Sequence, residues 1–227
     1  MSREKPIIFS TEMVQKILSG EKNQTRRAVK IPSWTWDRYD DLSYERCGGL
    51  FALHRKNGCR EPIIPPYMAD DVLWVRETWS IGIQSGDVIY KADYASGKKS
   101  PLADGEAWKP SIHMPKDVAR LYLEVVCVRV ERVQDISEKD ALAEGSHKAV
   151  WPVDAQEGEK MQQSPTHKNG FSWLWDNLNA ERALGWEVNP WVWVLEIVIK
   201  TTDKEGSVSQ TSALTTCQDI YNKNLKG

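Results

Sequence analysis

The chain has 227 residues, of which 41% are hydrophobic and 27% charged, and its formal net charge is −2. This length suits one ordinary domain with insertions, and the net charge gives no general attraction to nucleic acid, so such binding would need a local basic patch. No apolar run reaches the length of a membrane-spanning helix, and the N-terminus does not resemble a signal peptide. We therefore expect a cytoplasmic protein without a membrane partner.

The cysteines and tryptophans of the chain indicate which kinds of site it can form. The chain has four cysteines, Cys47, Cys59, Cys127 and Cys217. They show no close paired spacing, which predicts free thiols and no metal site. Eleven tryptophans stand against three phenylalanines. Tryptophan offers a stacking face and an N–H donor, so some of these rings suit a base pocket, while most are explained by core packing.

The first predicted elements are a short strand at Pro6–Phe9 and a helix from about Thr11 to Leu18, whose apolar residues fall on one stripe. Gly20 stands where a left-handed residue ends a helix. The next seven residues contain an amine, a hydroxyl and two guanidiniums: Lys22, Thr25, Arg26 and Arg27. If the chain continues as a turn, Lys22, Thr25 and Arg26 project to one side, and the guanidiniums lower the pKa of a partly buried Lys22. The segment is either the floor of a polar pocket or a solvated basic cluster.

Residues 31–70 are predicted to form an insertion that contains a hairpin, with Gly49–His54 returning through Pro62–Ile64. A strand follows at Val72–Trp79 and carries one charge on each face, Arg76 and Glu77. Because unpaired buried charges are expensive, these two side chains either hold substrate and brace Lys22 or form a structural ion pair.

A further strand is predicted at Val88–Ala92, from which Tyr90 could point inward. The stretch Trp108–Pro115 contains two prolines and can be neither a regular helix nor a central strand. Such a pre-ordered loop presents its polar and aromatic side chains at little entropic cost on binding. The alternative is a structural loop whose tryptophan plugs the end of a barrel.

The C-terminal half is predicted to contain a long strand, two helices and a closing strand, at Ala119–Val133, 135–145, 171–182 and 191–199. Ser137 is expected to cap the first of these helices, with Asp140 three residues on. Residues 146–169 look like a polar insertion over the pocket mouth, and residues 201–227 like a flexible tail.

The spacing Gly20-x-Lys22-x-x-Thr25-x-Arg27 resembles the signature of the ASCH domain, a member of the PUA-like superfamily. The typical motif has glutamate where this chain has Thr25, and the bacterial N4-acetylcytidine amidohydrolases of the family have threonine there. Three further stretches are similar to ASCH-like proteins of phages and prophages: Val72–Trp79, Trp108–Pro115 and Pro190–Lys200. The resemblance covers roughly residues 5–200.

This resemblance implies an α+β fold, a PUA-like small curved β-barrel with short flanking helices, over residues 1–200. It implies Lys22, Thr25 and Glu144 as catalytic residues, although on charge alone Glu138 or Asp140 would serve equally well as the acid. The candidate substrate-binding residues are Arg26, Arg27, Arg76, Glu77, Trp79, Tyr90, Trp108, Lys109, Ser111 and His113.

The function implied by the resemblance is metal-independent and cofactor-free hydrolysis of the amide of an N4-acylated cytidine. The partner would be RNA or a modified nucleoside or nucleotide. Two alternatives stay open: a non-catalytic module that binds RNA or a modified base, and a ribonuclease that uses Lys22 and Glu144 as base and acid.

Overall fold

The computed structural model describes residues 3–30, 39–45, 50–55, 60–82, 86–94, 102, 107–150 and 164–200. Within them the α-helices are α1 (Thr11–Leu18), α2 (Glu138–Ala143) and α3 (His167–Asn179). The strands are β1 (Glu4–Ile8), β2 (Gln24–Ala28), β3 (Tyr39–Glu45), β4 (Leu50–Arg55), β5 (Arg60–Ile63), β6 (Val72–Arg76), β7 (Trp79–Ile81), β8 (Val88–Tyr90), β9 (Tyr122–Arg132) and β10 (Trp191–Ile199). This mixture of strands with a few short helices confirms the α+β class.

The strands form three sheets, with the strand orders β1-β6-β9-β10-β2, β3-β4-β5 and β7-β8. β1 pairs with β6 in parallel, whereas β6 with β9 and β10 with β2 are antiparallel. The pairings found within the described residues give open sheets and no closed barrel. The largest sheet is therefore a mixed one, and the barrel expected from the sequence is not observed in this part of the chain.

The chain forms two compact units. The first contains the segments up to Gln15, from Met68 to Cys127 and from Ile197 onward, and the second contains Lys16–Tyr67 and Val128–Glu196. In the first unit the core is built from alternating residues of β1, β6 and β9, such as Ile7, Leu73 and Leu123, which are buried.

Asp71 ties β1 to the start of β6 in the first unit. Its Oδ2 accepts hydrogen bonds from Lys5 Nζ (2.6 Å) and from the Met68 N–H (2.9 Å). Burial raises the pKa of Asp71, but the bonds from Lys5 and Met68 outweigh it, so the pKa lies below its usual value of 3.8.

We expect Asp71→Asn to destabilise the protein at neutral pH by about 1.5–3 kcal/mol, the range for hydrogen bonds to charged groups. A carboxyl whose folded pKa is depressed stabilises the fold above its unfolded pKa and loses that effect as the pH falls through the folded pKa. The stability difference between the two proteins should therefore shrink below pH 3.8. Urea unfolding across pH measures this, and the exposed Asp117→Asn variant is the control, with a difference that stays small at every pH.

The predicted limits of α1 are confirmed, and its caps follow the sequence. The Met13 N–H donates to Ser10 Oγ (3.3 Å), and Gly20 adopts a φ of 80°. The prediction for the next segment is wrong, because residues 24–28 form the strand β2 rather than a turn. Its register on β10 runs from Gln24 opposite Glu196 to Ala28 opposite Val192. Alternation along a strand then places Thr25 on the opposite face from Arg26, so these side chains do not share a side.

The core of the second unit lies between α2, α3 and the strands β2 and β10. Helix α3 begins at His167, four residues before the predicted start, because the Thr166 side chain accepts the Asn169 N–H (3.1 Å) and caps it. Phe171 and Trp175 are buried on the predicted stripe together with Ile136, Ala141, Trp186, Val192 and Val194. Leu178 was expected on the same stripe, but it is 61% exposed.

Gly170 allows α3 to pack on the chain after α2. A Cβ at this position would lie 1.6 Å from the carbonyl oxygen of His147, which is backbone and cannot swing away. We expect Gly170→Ala to destabilise the protein by about 1–3 kcal/mol or more through overpacking, although alanine is the better helix former. Thermal unfolding measures this, with the exposed Asn177→Ala of the same helix as the matched control. Equal stability of the two variants would contradict the close contact.

Two predicted connections lie partly in the described residues. The hairpin in the first insertion is confirmed, since β4 and β5 pair antiparallel with Ala52 opposite Pro62, and β3 extends this sheet on the other side of β4. The second insertion contributes the bridge between Ala149 and Thr166. The turn 56–59, residues 151–163 and the predicted tail 201–227 lie outside the described residues. The expectation of free thiols is wrong for Cys127, which is disulfide-bonded.

Candidate functional site

A buried ion pair joins two of the three predicted catalytic residues in the second unit. Lys22 Nζ lies 2.6 Å from Glu144 Oε2, and the two residues are only 4% and 3% exposed. The same ammonium also donates to the carbonyl oxygens of Gln24 and Glu144, each at 2.8 Å. An ammonium has three protons, so these hydrogen bonds use all of them.

Local backbone structure positions this pair. Glu144 follows the last turn of α2, where Gly145 with a φ of 78° ends the helix. The Lys22 N–H donates to Lys16 O (2.9 Å), and Lys16 Nζ donates to Gly145 O (2.6 Å). Two lysine side chains thus bind successive carbonyls at the C-terminus of α2, where a cation complements both the free carbonyls and the helix dipole.

Electrostatics in the site lower the pKa of Lys22. Burial lowers the pKa of Lys22 most strongly, since the charged amine loses its hydration. Glu144 raises that pKa through its charge and hydrogen bond, and Arg27 and Arg26 lower it again. The net direction is downward, which is what a lysine needs in order to act as a base near neutral pH.

Arg26 binds the second oxygen of Glu144. Its side chain is 0% exposed, and Nη1 donates to Glu144 Oε1 (3.1 Å) and to Gln24 Oε1 (2.6 Å). Nε and Nη2 both reach Glu131 Oε1, at 3.0 and 2.5 Å, and Nη2 also lies 3.5 Å from Asp140 Oδ2. All five N–H groups of the guanidinium are therefore directed at protein acceptors. The sequence predicted that Arg26 contacts substrate, but its N–H groups are all taken up by these protein acceptors.

Arg129 forms an outer layer around this network. It donates to Glu131 Oε2 (3.3 Å), to Glu196 Oε1 (2.7 Å) and to Asp140 Oδ2 (2.9 Å). Glu131 and Asp140 are thereby held between two arginines, Arg26 and Arg129, which compensates the charge of each group in a partly dry environment. Glu138, the other acid considered from the sequence, instead accepts the N–H groups of His167 (2.6 Å) and Lys168 (3.0 Å) at the start of α3.

Thr25 and Arg27 lie on the opposite face of β2 from Gln24 and Arg26. Thr25 is buried, and within the described residues its hydroxyl makes no hydrogen bond to Lys22 or Glu144. Burial lowers the pKa of Arg27, while Tyr67 and Glu144 raise it. The structure therefore brings Lys22 and Glu144 into contact and leaves Thr25 outside that contact.

The other predicted site residues belong to the first unit. Glu77 is buried and binds Arg120 Nε (2.9 Å) and Nη2 (3.1 Å), so the ion pair weighed for Glu77 is made with Arg120 rather than Arg76. Burial raises the pKa of Glu77, and Arg120 lowers it. Tyr90 donates to Val118 O (2.7 Å), and its ring lies 4.0 Å from Arg120 Cζ.

The proline-containing stretch is a loop, as its sequence predicts, with a 3-10 turn at Ser111–His113. Lys109 forms a backbone bridge with Trp79, and Trp108 lies 5.9 Å from the Tyr94 ring. Ser111 is half-buried and His113 is exposed. Four of the predicted substrate-binding residues thus lie on this loop and one on the strand beneath it.

Sequence reasoning missed Arg120, Arg129 and Glu131. A signal for the last two was present, because Val128–Arg132 alternates valine with charged residues and so places Arg129 and Glu131 on one face of a strand. The sequence did not show which acidic and basic residues would meet that face.

No family model matches the chain, and neither the curated proteins nor the solved structures give a significant match. Within the described residues, no group of three or more His, Cys, Asp or Glu side chains is placed to hold a metal ion. Among the helices that the structure describes, none is long and apolar enough to cross a membrane. The functional argument therefore rests on the residues themselves.

Proposed function

We propose that the chain is an ASCH-type protein of the PUA-like superfamily that hydrolyses the amide of an N4-acylated cytidine, with Lys22 as base and Glu144 as acid. The observation that carries this proposal is the 2.6 Å contact between Lys22 Nζ and Glu144 Oε2, which is shielded from water. The burial and the two guanidiniums that lower the pKa of Lys22 support it.

The chemistry begins with one proton. Its transfer from Nζ to Oε2 produces a neutral amine and a carboxylic acid in a single step, and burial, which lowers the pKa of Lys22, favours loss of the proton from the amine. The amine then takes a proton from water, and the water oxygen forms a bond to the acyl carbon. When the bond from that carbon to N4 breaks, Glu144 gives its proton to N4. Cytidine and the carboxylic acid leave, and the ion pair is restored.

Water, rather than Thr25, is supported as the nucleophile. Thr25 lies across the strand from Arg26 and does not contact the ion pair, although the family resemblance implies a catalytic role for it. Because Lys22 uses all three protons on protein acceptors, the attacking water has to enter between Nζ and Oε2. Productive binding of substrate must therefore open this contact.

The two arginines of the basic segment take different roles in this scheme. Arg26 binds Glu144 Oε1 and leaves Oε2 as the oxygen that exchanges a proton, so Arg26 acts as a positioning residue. Arg27 lies on the other face of β2, but its charge acts on both Lys22 and Glu144, so Arg27 is the guanidinium proposed to stabilise the oxyanion or to hold a phosphate.

The test is incubation of the purified protein with N4-acetylcytidine and with acetylated transfer RNA, followed by mass analysis of the nucleosides. We expect the acetyl group to be lost with wild type and kept with Glu144→Gln, which retains the size of the side chain but has no acidic proton to give. The Glu138→Gln protein is the matched control, because Glu138 caps α3 and does not contact Lys22. Unchanged nucleosides with wild type would contradict the proposal.

A second candidate is a module that binds RNA or a modified base without catalysis. It is favoured by the saturation of Lys22, since an ammonium with three protein acceptors suits a structural clamp on α2. Salt-dependent binding with unchanged nucleosides on an intact chain would support this candidate, whereas a cut chain would indicate a ribonuclease.

A further inference from the structure

Two cations of the first unit have no acidic partner. Arg76 and Lys109 make no ion pair with any residue that the structure describes. The nearby acidic groups are already bound, because Arg120 holds Glu77 at 2.9 Å and Asp93 at 2.7 Å. The charges of Arg76 and Lys109 are therefore available to an anion from outside the described chain.

Two buried N–H donors occur close together in the sequence. Arg76 Nε and Trp79 Nε1 have no hydrogen-bond acceptor within the described residues, and Trp79 is only 8% exposed. A buried donor without an acceptor destabilises a protein, and such groups are rare in native proteins. Their occurrence within four residues of one another indicates that an acceptor from another molecule belongs here.

One loop, residues 107–115, contacts both residues that carry these donors. Lys109 exchanges backbone hydrogen bonds with Trp79 (2.8 and 3.2 Å), and its Nζ lies 4.7 Å from the centre of the Trp79 ring. Three residues further on, the carbonyl oxygen of Ile112 accepts a hydrogen bond from Arg76 Nη2. The loop thus contacts both residues that carry the buried donors, and it holds the Lys109 ammonium over the ring of Trp79.

Aromatic rings border the same loop. Arg76 Cζ lies 5.6 Å from the centre of the Trp74 ring, and the rings of Tyr94 and Trp108 are 5.9 Å apart with an angle of 46° between their planes. The surroundings therefore combine N–H donors and positive charge with flat apolar faces. That combination suits a ligand with a phosphate at one end and an aromatic base at the other.

We propose that the loop 107–115 and the strand ends beneath it form a binding site for a nucleoside monophosphate. The phosphate oxygens accept hydrogen bonds from Trp79 Nε1 and Arg76 Nε and pair with the Lys109 ammonium, and the base stacks on the bordering rings. Because both donors are buried, binding of the ligand has to expose them. This site needs no hydrolysis, so it goes beyond the proposed function.

The experiment follows the two donors directly by NMR. In the ¹⁵N-labelled full chain the tryptophan indole and arginine Nε–H signals are recorded, and those of Trp79 and Arg76 are assigned with Trp79→Phe and Arg76→Lys. The probes are cytidine 5′-monophosphate, inorganic phosphate and cytidine. We expect both signals to move with the two phosphate-bearing probes and to stay in place with cytidine.

The variants measure the contribution of each group. Trp79→Phe keeps an aromatic side chain and loses the donor, and we expect about a tenfold loss of affinity for cytidine 5′-monophosphate. Lys109→Gln, at an exposed position where folding is not at risk, should weaken binding and reduce its dependence on salt. Lys116→Gln is the matched control, because Lys116 is exposed and already paired with Glu4, and its affinity should equal that of wild type.

Signals of Trp79 and Arg76 that stay unchanged at millimolar cytidine 5′-monophosphate would overturn the proposal. So would an affinity that neither Trp79→Phe nor Lys109→Gln reduces. The outcome is separable from that of the proposed function, since binding without hydrolysis contradicts only the hydrolase, and hydrolysis without these shifts contradicts only this site.

Discussion

A Lys22→Met protein is expected to stay folded and to hydrolyse N4-acetylcytidine about 10²–10⁴-fold more slowly than wild type, the range for loss of a general base. Methionine keeps an unbranched apolar stem and removes the amine. Glu144 is not left without a countercharge, because Arg26 Nη1 still donates to its Oε1 (3.1 Å). Initial rates from nucleoside mass analysis measure the effect, and we expect it in kcat rather than in KM, since the amine acts on the reacting water.

Lys16→Met is the matched control for this variant. Lys16 is also a buried lysine at the end of α2, but its Nζ donates to Gly145 O (2.6 Å) and not to the Glu144 carboxylate. Its rate should stay within a few-fold of wild type. Equal losses in the two variants would mean that the activity depends on the packing of the helix end, and the role of Lys22 as a base would then be wrong.

The elements predicted best from the sequence are those whose signals are local. Helix α1 ends at Leu18 before a glycine with positive φ, and α2 is capped by Ser137 Oγ, which accepts the Asp140 N–H at 3.0 Å. Caps and end glycines act within a few residues, so a single stretch of sequence contains the whole cause. The hairpin of β4 and β5 was predicted for the same reason.

The strand β2 was not predicted, because its cause is distant. Its sequence, Gln-Thr-Arg-Arg-Ala, shows no alternation of apolar and polar residues, and its partner β10 lies more than a hundred residues further along the chain. Both faces of this strand are polar, and one of them meets the acidic residues of β9 and α2. Only the tertiary arrangement makes a buried strand of such residues stable.

The candidate site shows the same division between local and distant causes. Lys22 and Glu144 are 122 positions apart, and they were named together through the family motif rather than through any spacing. Charge pattern alone left Glu138 and Asp140 as equal alternatives for the acid. In the structure Glu138 instead caps the start of α3, and Asp140 belongs to the arginine network. The role of Thr25 was expected from the motif, but strand alternation separates it from the pair.

An Arg26→Met protein is expected to lose about 3–5 kcal/mol of stability, the range for removing one partner of a buried ion pair. Arg26 serves the carboxylates of Glu131, Asp140 and Glu144 at once, so its loss leaves the network with an excess of buried negative charge. Lys22→Met removes a partner from only one carboxylate, that of Glu144, and should destabilise the protein less. Urea unfolding of both variants at neutral pH measures the difference.

Arg182→Met is the control for charge removal, since Arg182 is exposed in the same unit and should change stability by less than about 0.5 kcal/mol. A stable Arg26→Met protein that has only a raised KM would contradict this account. All five N–H groups of Arg26 are directed at the protein, as expected of a positioning residue. Its replacement should therefore reduce stability rather than substrate affinity.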